Sequence, residues 1–131
     1  MEKTNPEKQI KKIKEKTDIK TIDASGRKLG RVASEVAMSL MGKTKATYER
    51  NKYSGFPVRV INASKLAITT KKLAEIYHTR YSGMRGGLRV LPGTETAEKK
   101  GMKELVKLAT YQMLPSNKIR RTMMMNLKIE D

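Results

Sequence analysis

The chain has 131 residues and a mass of 14.8 kDa, enough for one domain with its own core and too little for two. It carries 29 Lys and Arg against 13 Asp and Glu, a formal charge of +16, whose self-repulsion disfavours a compact monomer unless a polyanion, most commonly nucleic acid, neutralises it. The absence of cysteine excludes disulfides, thiolate metal sites and thiol catalysis.

Residues 1–17 are mostly Lys and Glu, with Ile10 and Ile13 as the only branched aliphatic side chains. They predict a basic extension that cannot bury a core, ahead of a single globular domain at 18–131. Ile19 to Ala24 alternates as a strand does and runs into the turn Ala24-Ser25-Gly26. Leu29, Val32, Ala33, Val36, Ala37, Leu40 and Met41 then recur at helical spacing, and Gly42 is placed to stop the helix. Thr44 to Pro57 reads as a loop in which Lys45, Arg50 and Lys52 are interleaved with Tyr48, Tyr53 and Phe56.

Val58 to Asn62 is the strongest strand signal, a β-branched run ended by an asparagine. Leu66 to Thr69 is a shorter strand candidate, followed by Lys71 and Lys72. Tyr81 to Gly87 is a glycine-rich loop, Leu88 to Leu91 a brief strand, and Pro92-Gly93 a turn. From Glu98 to Met113 the pattern is helical, with a mostly apolar face of Met102, Leu105, Leu108, Ala109, Gln112 and Met113 and with Pro115 at its end. Met123-Met124-Met125 supplies a packing surface for a C-terminal turn. Strands alternating with helices predict an α/β fold with a small, largely parallel sheet.

The distribution of charge is more informative than its sum. Carboxylates are absent from residues 50–74, 76–94 and 105–129, while Lys and Arg continue through all three. A surface that meets only water mixes both signs, so these segments are candidates for contact with phosphate. An enzyme needs proton-transfer, nucleophilic or metal-binding groups. Here one histidine, His78, is set among scattered carboxylates, and it is expected at the surface or facing RNA. Gly42-Lys43-Thr44 spells the end of a phosphate-binding loop but follows a helix instead of opening one. No apolar run is long enough to span a bilayer, and the N-terminus has neither the apolar core of a secretory signal nor, given Glu2, Glu7 and Glu15, the acid-poor character of a transit peptide. The expectation is a cytoplasmic protein with no membrane partner.

Four ordered motifs carry a resemblance. Residues 23–35 (Asp-Ala-Ser-Gly-Arg-Lys-Leu-Gly-Arg-Val-Ala-Ser-Glu) come first, then Val60-Ile61-Asn62-Ala63-Ser64-Lys65 with Thr69 and Lys71-Lys72-Leu73. Ser82-Gly83 with Gly86-Gly87-Leu88-Arg89 is the third. Met113-Leu114-Pro115-Ser116-Asn117-Lys118 with Arg121, Met123 and Leu127-Lys128 is the fourth. Together they resemble the large-subunit ribosomal protein L13 family, in its bacterial form, over about residues 19 to 129. The resemblance implies a three-layer α/β/α fold with a four-stranded sheet, no catalysis, and binding to large-subunit ribosomal RNA during early assembly. Tyr81 stands where the family usually has histidine, Met84-Arg85 where it has Tyr-Pro, and Thr70 where glycine is usual. The family's histidine- and proline-containing C-terminal tail has no counterpart here.

Charge and resemblance together nominate the RNA-binding residues. They are Arg27, Lys28 and Arg31 at the first helix, Lys43, Lys45, Arg50 and Lys52 in the loop after it, and Lys71 and Lys72. The glycine-rich region adds Arg80, Tyr81, Ser82, Gly83, Arg85, Gly86, Gly87 and Arg89, and the C-terminal segment adds Asn117, Lys118, Arg120 and Arg121. Expected partners are large-subunit ribosomal RNA and neighbouring ribosomal proteins, with no cofactor, metal or small-molecule substrate. The alternative expectation is a regulator that uses the same basic surface on messenger RNA away from the ribosome.

Overall fold

A computed structural model describes residues 19–131; the basic extension expected at 1–17 lies outside the described residues. In chain order the elements are β1 (Lys20–Asp23), α1 (Leu29–Met41), β2 (Val58–Ile61), a 3-10 turn at Ala63–Lys65, α2 (Thr70–Glu75), β3 (Tyr77–Tyr81), β4 (Leu88–Pro92), α3 (Gly93–Met113), α4 (Arg120–Met125) and β5 (Leu127–Ile129).

Helix α1 follows from its sequence. Val32, Ala33, Val36, Ala37, Leu40 and Met41 form one buried stripe, the pattern that places an apolar face against a sheet. Gly42 terminates it in the left-handed conformation (φ 76°), with its own N–H and that of Lys43 returning to the Met38 carbonyl at 3.1 and 3.2 Å. A side chain there would be strained in φ and would also meet the Ser54 backbone at 2.8 Å, so glycine is required twice over.

β1, β2 and β5 form a parallel sheet in the order β1-β2-β5, with Ile22 opposite Val60 and Val60 opposite Ile129. One face is apolar: Ile22, Val58 and Val60 are buried and join Val32, Val36, Leu40, Val106, Leu114 and Met123 in the core. Helix α1 packs on β1 and β2, while α3 packs on α1 and β5. Each fully buried branched side chain contributes about 1.5–3 kcal/mol, so the stability of the domain is concentrated here. The buried hydroxyls of Ser39 and Thr110 are satisfied by the carbonyls four residues earlier, Glu35 at 2.9 Å and Val106 at 2.8 Å.

The expected mixed α/β fold with a small parallel sheet is present, but the sheet has three strands among the described residues and not four. β3 and β4 pair with each other instead, as a separate antiparallel hairpin. The expected strand at Leu66–Thr69 is extended chain without a strand neighbour. Leu66 and Ile68 are apolar because they pack on the core, and the Ala67 N–H is taken by the Arg27 carbonyl at 3.0 Å. The last long helix begins at Gly93 and not near Glu98; Pro92 precedes it, and a kink at Gly101 (φ 77°, ψ 175°) divides it. That break in the apolar periodicity hides the first turns from a sequence-based reading.

Candidate nucleic-acid interface

The β3–β4 hairpin gathers the largest group of expected contact residues. Its turn is closed by the Gly87 N–H on the Met84 carbonyl (3.0 Å) and the Ser82 N–H on the Gly87 carbonyl (3.3 Å). Gly83 and Gly86 both adopt positive φ, 85° and 72°, which residues with a Cβ rarely tolerate. Arg85 lies between these glycines and is exposed. Directly behind the turn, Arg80 and Arg89 face each other across the ladder. Like charges at such a position are destabilising, and among the described residues no carboxylate pairs with either guanidinium to relieve the repulsion. An external anion would.

The two faces of this hairpin differ. His78 and Leu91 are opposite one another, and the His78 ring is buried beside α3, where Nδ1 lies 3.2 Å from Gln112 Nε2. This corrects the expectation of a surface or RNA-facing histidine. Burial holds the imidazole below its ordinary pKa, because the charged form loses hydration without gaining a counter-charge. The other face carries Tyr77, Thr79 and Tyr81 against Pro92, Val90 and Leu88. Four of its large side chains are more than half exposed: Tyr77 66%, Tyr81 64%, Leu88 62% and Val90 56%.

A second group surrounds the N-terminus of α1. Lys28 occupies the capping position without a side-chain cap, and the first turn holds no acid, so the helix presents unpaired N–H groups and positive potential. Lys28, Arg31 and Lys72 border a groove of about 660 Å³ that runs past Ile68 and Ile76 to His78 and Gln112. Phosphate is the ligand such a helix end favours. Arg27, expected in the same group, is instead drawn to Glu35 at 2.6 Å, and Lys72 is also 3.5 Å from Glu75. Lys71 is exposed.

The other expected residues are dispersed. Lys43 and Arg50 are exposed, Lys45 lies 3.8 Å above the Phe56 ring, and Lys52 pairs with Glu49 at 2.8 Å. In the C-terminal segment, Lys118 and Arg121 are exposed. Asn117 and Arg120 are occupied internally. The Asn117 side-chain oxygen accepts the Arg120 N–H at 3.0 Å. The Arg120 guanidinium donates to the carbonyls of Pro115 (2.9 Å) and Leu114 (2.7 Å) and stacks 4.5 Å from the Tyr111 ring. Arg120 thus satisfies carbonyls just beyond α3, a structural duty that leaves less of it for a partner.

Some exposed residues escape a sequence-based reading. Tyr77 is signalled only by its two-residue spacing from Thr79 and Tyr81. Arg59 and Lys128 lie side by side on the exposed face of the parallel sheet, a register no local pattern reveals; Arg59 is held by Glu130 at 2.6 Å, which raises its pKa. At the sheet's C-terminal edge, the Asp23 carboxylate accepts the Ser25 N–H (2.9 Å) and the Asn62 amide (3.0 Å), and these bonds hold its pKa below the usual carboxylate value. Asn62 is the one non-glycine residue with positive φ among those described (57°). That bond pins the turn leaving β2 to the turn leaving β1.

Among the described residues no group of His, Asp or Glu is arranged to hold a metal ion, and no helix is long and apolar enough to cross a membrane. A small α/β scaffold that spends its irregular segments on displaying basic side chains is the layout of a structural protein. The chain belongs to the ribosomal protein L13 family, whose model matches residues 17–129; the family is structural and not enzymatic. Over 114 residues the chain is 43% identical to the large ribosomal subunit protein uL13 of Pelobacter propionicus, covering 87% of this chain and 80% of that protein. The proteins of the same name from Natranaerobius thermophilus and Gloeothece citriformis are 40% and 42% identical, covering 83% and 82% of this chain and 76% and 71% of theirs.

Proposed function

We propose that the chain is a structural constituent of the large ribosomal subunit that binds large-subunit ribosomal RNA and supports early subunit assembly and translation in the cytoplasm. Beyond family membership, the observation that carries this reading is the Arg80–Arg89 pair. Two guanidinium groups set opposite each other in an acid-free hairpin cost stability in the free protein and recover it when phosphate lies between or beside them. The groove bordered by Lys28, Arg31 and Lys72 offers a second phosphate position at a helix end. With contacts on several elements, recognition follows the shape of a folded RNA more than its sequence. Neighbouring ribosomal proteins are the expected protein partners.

Density-gradient fractionation of cell extract at low and at moderate salt tests the proposal. The protein should travel with the large subunit in both. Recovery in the soluble fraction at low salt would overturn it, and recovery with messenger RNA free of subunits would favour the regulatory alternative.

A further inference from the structure

We propose that the outer face of the β3–β4 hairpin is a stacking platform for unpaired RNA nucleotides, with bases lying on Tyr77 and Tyr81 and phosphate held by Arg85 in the turn. This deepens the RNA-binding reading and rests on it. Single exposed apolar residues are ordinary on protein surfaces, but these are contiguous. The ladder places Tyr81 beside Leu88, Thr79 beside Val90 and Tyr77 beside Pro92 on one face, and nothing among the described residues covers them. A flat apolar strip invites association with other chains, so a stable occupant is required.

Charge selects the occupant. No carboxylate lies between residues 76 and 94, and Arg85 stands exposed in the turn at one end of the strip, with Arg80 and Arg89 on the opposite face of the ladder, so the hairpin is matched to a polyanion that also has flat apolar rings. Single-stranded RNA is such a ligand: its bases stack on aromatic side chains while basic groups follow the backbone. Spacing then selects the form of the RNA. The two tyrosines are four positions apart along the strand, about 14 Å at the usual rise, whereas successive bases of a helical stack are only about 3.4 Å apart. The two rings therefore engage bases splayed from a loop or bulge, which a duplex cannot offer.

The test uses the full chain with a fluorescein-labelled 12-nucleotide oligouridylate and a 12-base-pair RNA duplex, read by fluorescence anisotropy. Tyr77→Ala and Tyr81→Ala should each weaken binding to the single strand by about tenfold to a hundredfold. Duplex affinity should stay within twofold and the melting temperature unchanged, while Tyr77→Phe and Tyr81→Phe retain single-strand binding because the ring carries it. Loss of both RNAs in parallel, no loss of either, or phenylalanine variants as weak as alanine variants would each overturn the platform. No loss of either would mean that a protein covers this face. Failure of the underlying RNA reading is distinguishable: neither RNA would bind the parent chain with a salt-dependent affinity, and Arg80→Ala would change nothing.

Discussion

Val60 and Val90 occupy similar local positions, each in a short strand with a partner beside it, yet Val60 is fully buried and Val90 is 56% exposed. The parallel sheet turns its apolar face onto α1 and holds the core. The hairpin turns its apolar face outward and is supported from behind, where His78 and Leu91 meet α3 and the Gly93 N–H reaches the Ile76 carbonyl at 2.7 Å. A two-stranded hairpin is marginal alone, so its stability is borrowed from α3. The same residue type is thus scaffold in one region and available surface in the other.

Substitution at these two valines should separate the regions most sharply. Val60→Asp places an unpaired charge at the centre of the core and should cost on the order of 4 kcal/mol or more, abolishing cooperative unfolding in a thermal melt. Val90→Asp should move stability by no more than about 0.5 kcal/mol. Comparable losses at both would erase the distinction. An intermediate effect is expected at Arg120, whose replacement by alanine removes two hydrogen bonds to backbone carbonyls and a stacked guanidinium. Denaturant titration should show a loss of about 1–3 kcal/mol, whereas a purely RNA-facing arginine would show none.

His78 gives a smaller effect that depends on pH. Its folded pKa lies below the ordinary 6.5 because of burial, so at pH values just under 6.5 the unfolded chain takes up a proton that the folded one does not. The stability contributed by the neutral ring is complete above pH 6.5 and is lost as pH falls below it, until the folded pKa is passed. Melting temperatures across this range should decline, and His78→Gln should flatten the decline. A slope unchanged by the substitution would show that other groups govern it. The smallest expected change in stability is at Arg85, where alanine should leave the melting point unaltered and make the slope of log affinity for ribosomal RNA against log salt shallower by about 0.7–0.9. An unaltered slope would remove Arg85 from the interface.

What the sequence makes legible follows the same division. Helix α1, its stop at Gly42 and the strand β2 are readable because burial writes a periodicity into them. β3 is not, since with both tyrosines exposed its alternation lacks a contrast between polar and apolar positions. β5 has three residues and is recognisable as a strand only through its partner β2. Leu66–Thr69 has the composition of a strand but no ladder to join. At the candidate interface, the acid-free segments mark the hairpin arginines as a group, and the fold sets Arg80 and Arg89 side by side. Composition cannot show that Arg27, Lys52 and Arg120 are engaged by Glu35, Glu49 and backbone carbonyls, because those partners are brought together by the fold.

The order β1-β2-β5 also sets a timetable. The β1–β2 pair can form once the crossover through α1 is complete, but the other edge of β2 waits for a strand that follows both the hairpin and α3 in the chain. Until residues 126–130 are synthesised, the Val58 N–H and the Val60 carbonyl lack the partners they finally find in the Asn126 carbonyl and the Glu130 N–H. Contacts this distant in sequence form slowly, and an open edge is prone to wrong pairing while it lasts. Pulse-labelled hydrogen exchange during refolding should protect amides of α3 and the hairpin before that of Val58. A nascent chain would therefore display its arginine-bearing hairpin before its own sheet has closed.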